Sequence, residues 1–316
     1  MDIPTAMIAM GGNSISPKTG SGKIEEQFAK TREAIDGISH FIKKNYNLCI
    51  NHGNGPQVGN ELLRMELTQE TIPPLPLGIC VASTQGSIGY MIQQSLQNKL
   101  RDMSIDREVV TLVSQVLVEK NDKSFENPNK FVGGRYSRIE SKDMNQKYGW
   151  NFKEQEKGEF RRIVPSPMPD YIMHGKSVKA LVDRGTIVIA SGGGGIPVFN
   201  NNQGHIQGVD AVIDKDYSAA KMGRIIRAQE LWIITDIDCV YENYGSSEQK
   251  RIKSINTNQL EKLYKKGVFQ KGTIAPKIKA ALHFLKYHGE KVIITSIPHI
   301  KDALNKNAGT EIRNHK

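Results

Sequence analysis

Apolar, β-branched runs alternate with amphipathic stretches from one end of the chain to the other. Ala6-Met7-Ile8-Ala9-Met10, Leu48-Cys49-Ile50, Val109 to Val118, Thr186 to Ala190, Leu231 to Thr235 and Val292 to Thr295 read as buried strands. Helical patterns lie between them. From Ile24 to Ile42 the residues Ile24, Phe28, Ile35, Ile38, Phe41 and Ile42 recur at helical spacing, which gives one buried stripe. The same reasoning predicts helices over Gln57 to Glu70, Thr84 to Leu100, Lys176 to Arg184, Tyr217 to Arg227, Asn258 to Lys266 and Pro276 to Tyr287. Repeated βα units with continuously apolar strands imply a mainly parallel sheet covered by helices on both faces. Glu119 to Arg162 breaks the rhythm. It is polar and charged and has no long apolar strand, which predicts an excursion from the main body: a flap, lid or small subdomain.

At 316 residues the chain can bury a large core in one domain or two lobes. No apolar run approaches the roughly 20 residues that span a bilayer. Met1-Asp2-Ile3-Pro4 has neither a basic flank nor a long apolar core, so the expectation is a cytoplasmic protein without a signal peptide or a membrane partner. The three cysteines, Cys49, Cys80 and Cys239, show no metal-ligand spacing and read as reduced core residues. The formal net charge is +10, but its basic residues are scattered and not interleaved with aromatics, so nucleic acid is not an expected partner.

In open parallel sheets, ligands bind beyond the carboxyl ends of the strands. The loop after each strand is therefore informative. Gly11-Gly12-Asn13 comes after the first and reads either as an anion-binding loop or as a plain turn; it lacks the spacing of a dinucleotide fingerprint. His52-Gly53-Asn54-Gly55-Pro56-Gln57 comes after the second. Amides of Gly53, Asn54 and Gly55 can meet an oxyanion at a helix start, and His52 reads as a hydrogen-bonded turn residue or as part of the site. Ser191 and four glycines, Gly192 to Gly195, come after Ala190, and then Asp214-Lys215-Asp216. By itself that triplet could be a charged helix cap. Behind a glycine cradle it points to phosphate and a metal, with lysine neutralising phosphate oxygens. Asp236 ends another strand, and Gly272-Thr273-Ile274-Ala275-Pro276-Lys277 begins a helix with Lys277 near its N-terminus. Trp232 reads as core, while Tyr244, on a loop, is the better candidate to stack on a base. Thr19-Gly20-Ser21-Gly22-Lys23 fails as a P-loop, since Pro17 stands where its first glycine belongs and Ile24 comes after the lysine. Lysines, glycine loops and an acid, with no Ser-His-Asp order or zinc spacing, indicate phosphoryl transfer.

Taken together, these strings resemble the carbamate kinase family of the amino-acid kinase superfamily. They are A-M-G-G-N, H-G-N-G-P-Q-V-G-N, T-Q-G-S-I-G-Y, N-P-N-K, V-P-S-P, S-G-G-G-G-I-P, A-V-I-D-K-D, I-T-D-I-D and P-K-I-K-A-A, in the family's order over nearly the whole chain. The resemblance implies a three-layer αβα sandwich around an open, mainly parallel sheet of about eight strands, with a protruding lid subdomain. It implies an acceptor lobe over 1–118 and 163–184, a lid over 119–162 and a nucleotide lobe over 185–316. The activity implied is phosphate exchange between carbamoyl phosphate and ADP in a homodimer, commonly at the end of fermentative arginine breakdown. Mg²⁺ is implied to be held mainly by the nucleotide phosphates and not by side chains.

By position, Lys215 and Lys277 resemble the lysines flanking the transferred group, Lys130 the lid lysine, and Asp216 the acid organising the site lysines. Gly11, Gly12, Asn13, Gly53, Asn54 and Gly55 resemble the acceptor cradle. Gly193, Gly194, Asp214, Asp236, Tyr244 and Ala275 fall to the nucleotide. The chain departs from the family's pattern at Phe131, where proline is usual, and at Gly158-Glu159-Phe160, where an R-G-W-like string is usual. The alternatives are another kinase of the same fold, or a lid-altered nucleotide-binding protein without turnover.

Overall fold

The structure, a computed structural model, describes residues 3–16, 22–269, 273–287 and 289–314. The chain begins with β1 (Thr5–Met10), α1 (Ile24–Lys43), β2 (Asn47–His52), α2 (Gly55–Thr68), α3 (Leu77–Asp102), β3 (Val109–Leu112) and β4 (Gln115–Leu117). It continues through β5 (Lys130–Tyr136), α4 (Arg138–Tyr148), β6 (Asn151–Glu156), β7 (Glu159–Val164), β8 (Tyr171–Ile172) and α5 (Gly175–Asp183). Next come β9 (Ile187–Ala190), β10 (Ile196–Asn200), β11 (Ile206–Gly208), α6 (Lys215–Ile225), β12 (Glu230–Ile234), β13 (Val240–Glu242) and β14 (Lys250–Ile252). The last elements are β15 (Ser254–Asn256), α7 (Thr257–Lys265), α8 (Ile274–Tyr287), β16 (Lys291–Thr295), α9 (Ile300–Leu304) and β17 (Thr310–Arg313).

Eight strands form the main sheet, in the order β15-β17-β16-β12-β1-β2-β9-β3. β1 pairs parallel with β2 on one side and β12 on the other, and β17 runs antiparallel to β16. Side chains alternate across a strand. Met7 and Ala9 of β1 therefore enter one apolar cluster, with residues of α5, α6 and α8. Ala6, Ile8 and Met10 enter the other, with α1 and α3. Burial on both faces is why these strands read as continuous apolar runs. The expected αβα sandwich with a mainly parallel eight-stranded sheet is thus the observed fold. Trp232 is in its core, 1% exposed, and all three cysteines are buried and free. Among the described residues no helix is long and apolar enough to cross a membrane.

Two expectations need correction. Val109 to Val118 is not one strand. β3 ends the main sheet, and β4 belongs to a second sheet of order β11-β10-β4-β8. The break falls at Val113 and Ser114: Val113 is 57% exposed, and the Ser114 N–H donates to the Gln85 side chain at 2.7 Å. α3 begins at Leu77, ahead of Thr84, because Leu77, Cys80 and Val81 bury against β5 and β7. The stretch from Glu119 to Arg162 has no long apolar strand, but most of a small sheet lies in it. β5, β7 and β6 form an antiparallel sheet, covered by α4 and carried on α2. Only Val132 and Val164 of this sheet join the apolar cluster beneath it, and β6 is largely exposed. Such strands carry no apolar run for a sequence reading to find.

Candidate active site

The loops leaving β1, β2, β9 and β12 meet at the carboxyl edge of the main sheet. Close backbone approach dominates here. A Cβ added at Gly53 would lie 2.8 Å from the Gly12 nitrogen and 3.5 Å from Lys215 Cδ. The Gly53 N–H donates to Met10 O and the Gly11 N–H to Ile234 O, both at 3.0 Å. Those two amides extend the sheet, and the value of glycine there is the closeness it permits. Gly55 opens α2, and a Cβ there would meet nothing within 4 Å. Asn54 occupies the α2 N-cap position without capping it, and its Nδ2 donates to Thr84 Oγ1 at 2.9 Å. No side chain competes at that position for the first amides of α2, a favourable place for an oxyanion.

α6 supplies the charged centre. Asp214 caps it, accepting from the Asp216 N–H at 2.9 Å, so Lys215 and Asp216 fall in its first turn. Asp216 accepts from Lys215 Nζ at 2.5 Å and from Lys277 Nζ, in the first turn of α8, at 2.8 Å. The Asp216 side chain is 3% exposed; those of Lys215 and Lys277 are 13% and 16% exposed. Burial alone would raise the Asp216 carboxyl, but the two ammonium groups outweigh it and hold it well below the usual carboxylate range. Burial also works against the Lys277 ammonium, but Asp216, with Asp214 and Asp236 behind it, raises it above the ordinary lysine value. For Lys215 burial prevails and its pKa is lowered, despite Asp216. Asp216 thus remains an anion holding two lysines toward one point and is unsuited to general-base work. Asn51 Nδ2 donates to the Lys215 carbonyl at 2.8 Å and fixes the helix start to β2.

The glycine turn after β9 packs against the end of β2. Ser191, Gly193 and Gly194 have φ of 56°, 66° and 95°, a path that favours glycine. A Cβ at Gly192 would fall 2.3 Å from His52 Nε2, and one at Gly193 would fall 2.1 Å from Asn54 Nδ2. The turn therefore packs on the end of β2, against the proposed acceptor residues, and does not line the tyrosine-walled cavity. His52 is 1% exposed, and burial drives its pKa down to about 4. The neutral ring donates from Nδ1 to Gly53 O at 3.0 Å.

That cavity, of about 490 Å³, is lined by Gly11, Gly12, Lys215, Thr273, Ile274 and Lys277 among others. It adjoins a wider one of about 900 Å³, and the two share Asn13, Thr235, Asp236, Ile237, Tyr241 and Tyr244. Asn13 Nδ2 donates to Asp236 at 2.7 Å, which ties Asn13 to the β12 side. Tyr244 is 58% exposed, its ring 5.7 Å from that of Tyr241. Ala275 shares the first turn of α8 without lining the cavity. Residues 19–21 of the failed P-loop string, and Gly272, lie outside the described residues. Among the described residues no group of three or more His, Cys, Asp or Glu is arranged to hold a metal.

Lys130 opens β5, and its Nζ is 3.5 Å from the Asp214 carboxylate, with the side chain 42% exposed. Both departures in this subdomain are absorbed within its own sheet. The Arg161 guanidinium lies 5.6 Å from the Phe131 ring, and Glu159 pairs with Arg135. Sequence reasoning assigned no role to Asn51 or Gln85. Gln85 bonds Ser114 through both of its side-chain ends and also donates to Gly192 O. The string T-Q-G-S-I-G-Y held the signal for Gln85, but an amide inside a helix declares no partner.

A family model described as the amino acid kinase family matches residues 4–296, and the chain belongs to that family. It is a kinase. The carbamate kinase of Pyrococcus furiosus is 40% identical over 308 residues, 97% of this chain and 98% of that protein. Carbamate kinase 2 of Staphylococcus epidermidis is 40% identical over 313 residues, 98% of this chain and 99% of that one. The structure of carbamate kinase from Giardia lamblia bound to AMP-PNP has a TM-score of 0.94 at 35% identity and covers 99% of each chain.

Proposed function

We propose that this kinase exchanges a phosphoryl group between carbamoyl phosphate and ADP. A terminal oxygen of ADP bonds to phosphorus while the bond from phosphorus to the carbamate oxygen breaks, giving ATP and carbamate. No proton moves in this exchange, so no general base is required. That suits a site whose buried acid is held ionised. The observation that carries the reading is the pair of lysines gathered on Asp216, between the glycine loops and the tyrosine-walled cavity. Lys215 and Lys277 offset the charge of the transferring group, Lys130 reaches the acceptor from the lid, and the loops Gly11 to Asn13 and Gly53 to Gly55 surround the phosphate. The chain from 185 to 316 holds the nucleotide, with Tyr244 and Asp236. The chain from 1 to 118 and 163 to 184 holds carbamoyl phosphate, joined there by Gly193 against Asn54.

The carboxylates of the site already face lysines or an asparagine, so Mg²⁺ fits on the nucleotide phosphates, where it would offset their charge. A homodimer and a place at the end of fermentative arginine breakdown rest on the resemblance, and a cytoplasmic location rests on the composition and the reduced cysteines. The test is coupled ATP formation from carbamoyl phosphate and ADP with Mg²⁺. Activity no higher than that of Lys215→Ala would overturn the reading. In a panel of acceptors, preference for an amino-acid carboxylate would move the assignment to another kinase of this fold.

A further inference from the structure

Lys130 has a long side chain, 42% exposed, and its contact with Asp214 is a single part-exposed ion pair at 3.5 Å. A single pair of this kind, open to solvent on the lysine side, is too weak to hold a flexible side chain in place. Its position must come from the backbone of β5, and therefore from how the lid sheet is docked.

Three contacts run along one short segment of the body, residues 210–214. At one end Lys130 meets Asp214. In the middle the Val212 N–H donates to Pro165 O at 3.0 Å. At the other end Arg162 Nη2 donates to Asp210 Oδ2 at 2.8 Å. Asp210 is itself held, since its Oδ1 accepts from Leu77 N–H at 3.1 Å, at the start of α3. Arg162 differs from the other charged residues of the lid in being buried, its side chain 6% exposed. Its guanidinium also lies 4.2 Å from the centre of the Trp150 ring. A planar cation held between a ring and a carboxylate is a stiff clamp, which lysine cannot reproduce. Arg162 and Lys130 ride on paired strands: Lys130 is opposite Val164, and Val132 is opposite Arg162. Other polar ties of this subdomain reach elsewhere: Tyr136 to Glu66 on α2, Tyr148 to Gln69 and Lys147 to Glu70 just after it, and Asp122, which accepts from the Met168 N–H at 3.1 Å. The segment they leave to Arg162 is the one that ends in the α6 cap.

We propose that Arg162 is a positioning residue for phosphoryl transfer: clamped between Asp210 and Trp150, it docks the lid sheet along residues 210–214 and so sets where Lys130 stands over the start of α6. This rests on the function proposed above, and the test separates the two. In an active wild type, Arg162→Met lowers kcat/KM for carbamoyl phosphate about 10-fold or more, while the Kd for ADP by calorimetry changes by about twofold at most. Asp210→Asn, at a half-exposed site that spares folding, gives the same pattern more weakly. In a Lys130→Ala background the Arg162→Met cost shrinks to about twofold, because the group it positions is gone. Full additivity with Lys130→Ala, or an equal loss of ADP affinity, overturns the proposal. Should the wild type make no ATP, the function falls first. Docking is then decided by labelling of the Lys130 amine and by deuterium uptake over 130–136 and 159–164. Both rise in Arg162→Met if the clamp holds the lid, and unchanged labelling and uptake overturn it.

Discussion

The charged centre and the lid hold lysines in opposite ways. At the centre Lys215 and Lys277 converge on a buried carboxylate, with their backbones fixed by helix starts and, for Lys215, by Asn51. Both lysines and Asp216 are paired before any ligand arrives, so little reorganisation of these charges is left for the proposed reaction. In the small subdomain a half-exposed Lys130 meets Asp214 at 3.5 Å, and its place depends on a sheet docked on the body. The difference separates preorganised charge from delivered charge. One is built into the sheet edge, and the other is as good as the docking that carries it.

The sharpest way to break this contrast is Asp216→Ala. It leaves two buried ammonium groups facing each other, with an expected loss of about 3–5 kcal/mol in urea unfolding. A loss of kcat on the order of 10³ should accompany it. A stability loss no larger than that of a surface pair would show that the centre is not preorganised.

His52 comes next. Its folded pKa of about 4 lies below the ordinary 6.5, so the fold disfavours the protonated ring. The stability it contributes is complete above 6.5 and is lost as pH falls through about 4. His52→Gln should flatten that window by up to about 3 kcal/mol, measured by denaturant unfolding across pH. Lys130→Ala should lower kcat/KM for carbamoyl phosphate on the order of 10², with a stability change below about 1 kcal/mol. A large fall in Tm would make Lys130 a structural residue of the lid.

The smallest effect is expected at Glu66. Burial pushes its carboxyl up to about 7, against the pull of Arg162. Tyr136 donates to it from β5. The sign is opposite to that of His52: stability is present below 4.5 and is lost as pH rises through about 7. Discounted for partial exposure, Glu66→Gln should remove about 1 kcal/mol of this slope. Because the two groups oppose each other between 4.5 and 6.5, the single variants are needed to resolve them. A Tm profile unchanged by Glu66→Gln would remove the lid from the pH response.

The strands of the main sheet, the glycine loops after them and the lysines of α6 and α8 were legible because each is a local pattern. A run buried on both faces is apolar throughout, glycine marks a close approach, and a lysine in a first helical turn has a direction. The pattern for Val109 to Val118 misled because strand propensity continues where the Gln85 side chain intercepts the chain. The lid sheet was invisible because strands with one exposed face and few apolar residues look like loops.

By itself, the sequence determined the alternating architecture, the family and the lysines of α6 and α8 that the structure brings together on Asp216. It could not determine on which side of that site Gly192 to Gly194 would lie. Their backbone leads toward a cradle in either direction, and only the packing of His52 and Asn54 against glycines without Cβ atoms decides for the β2 side. Nor could it determine that Arg162 and Asp210, far apart along the chain, would clamp the lid. That contact forms only when a small sheet and a body segment dock, and its strength comes from the burial that docking creates.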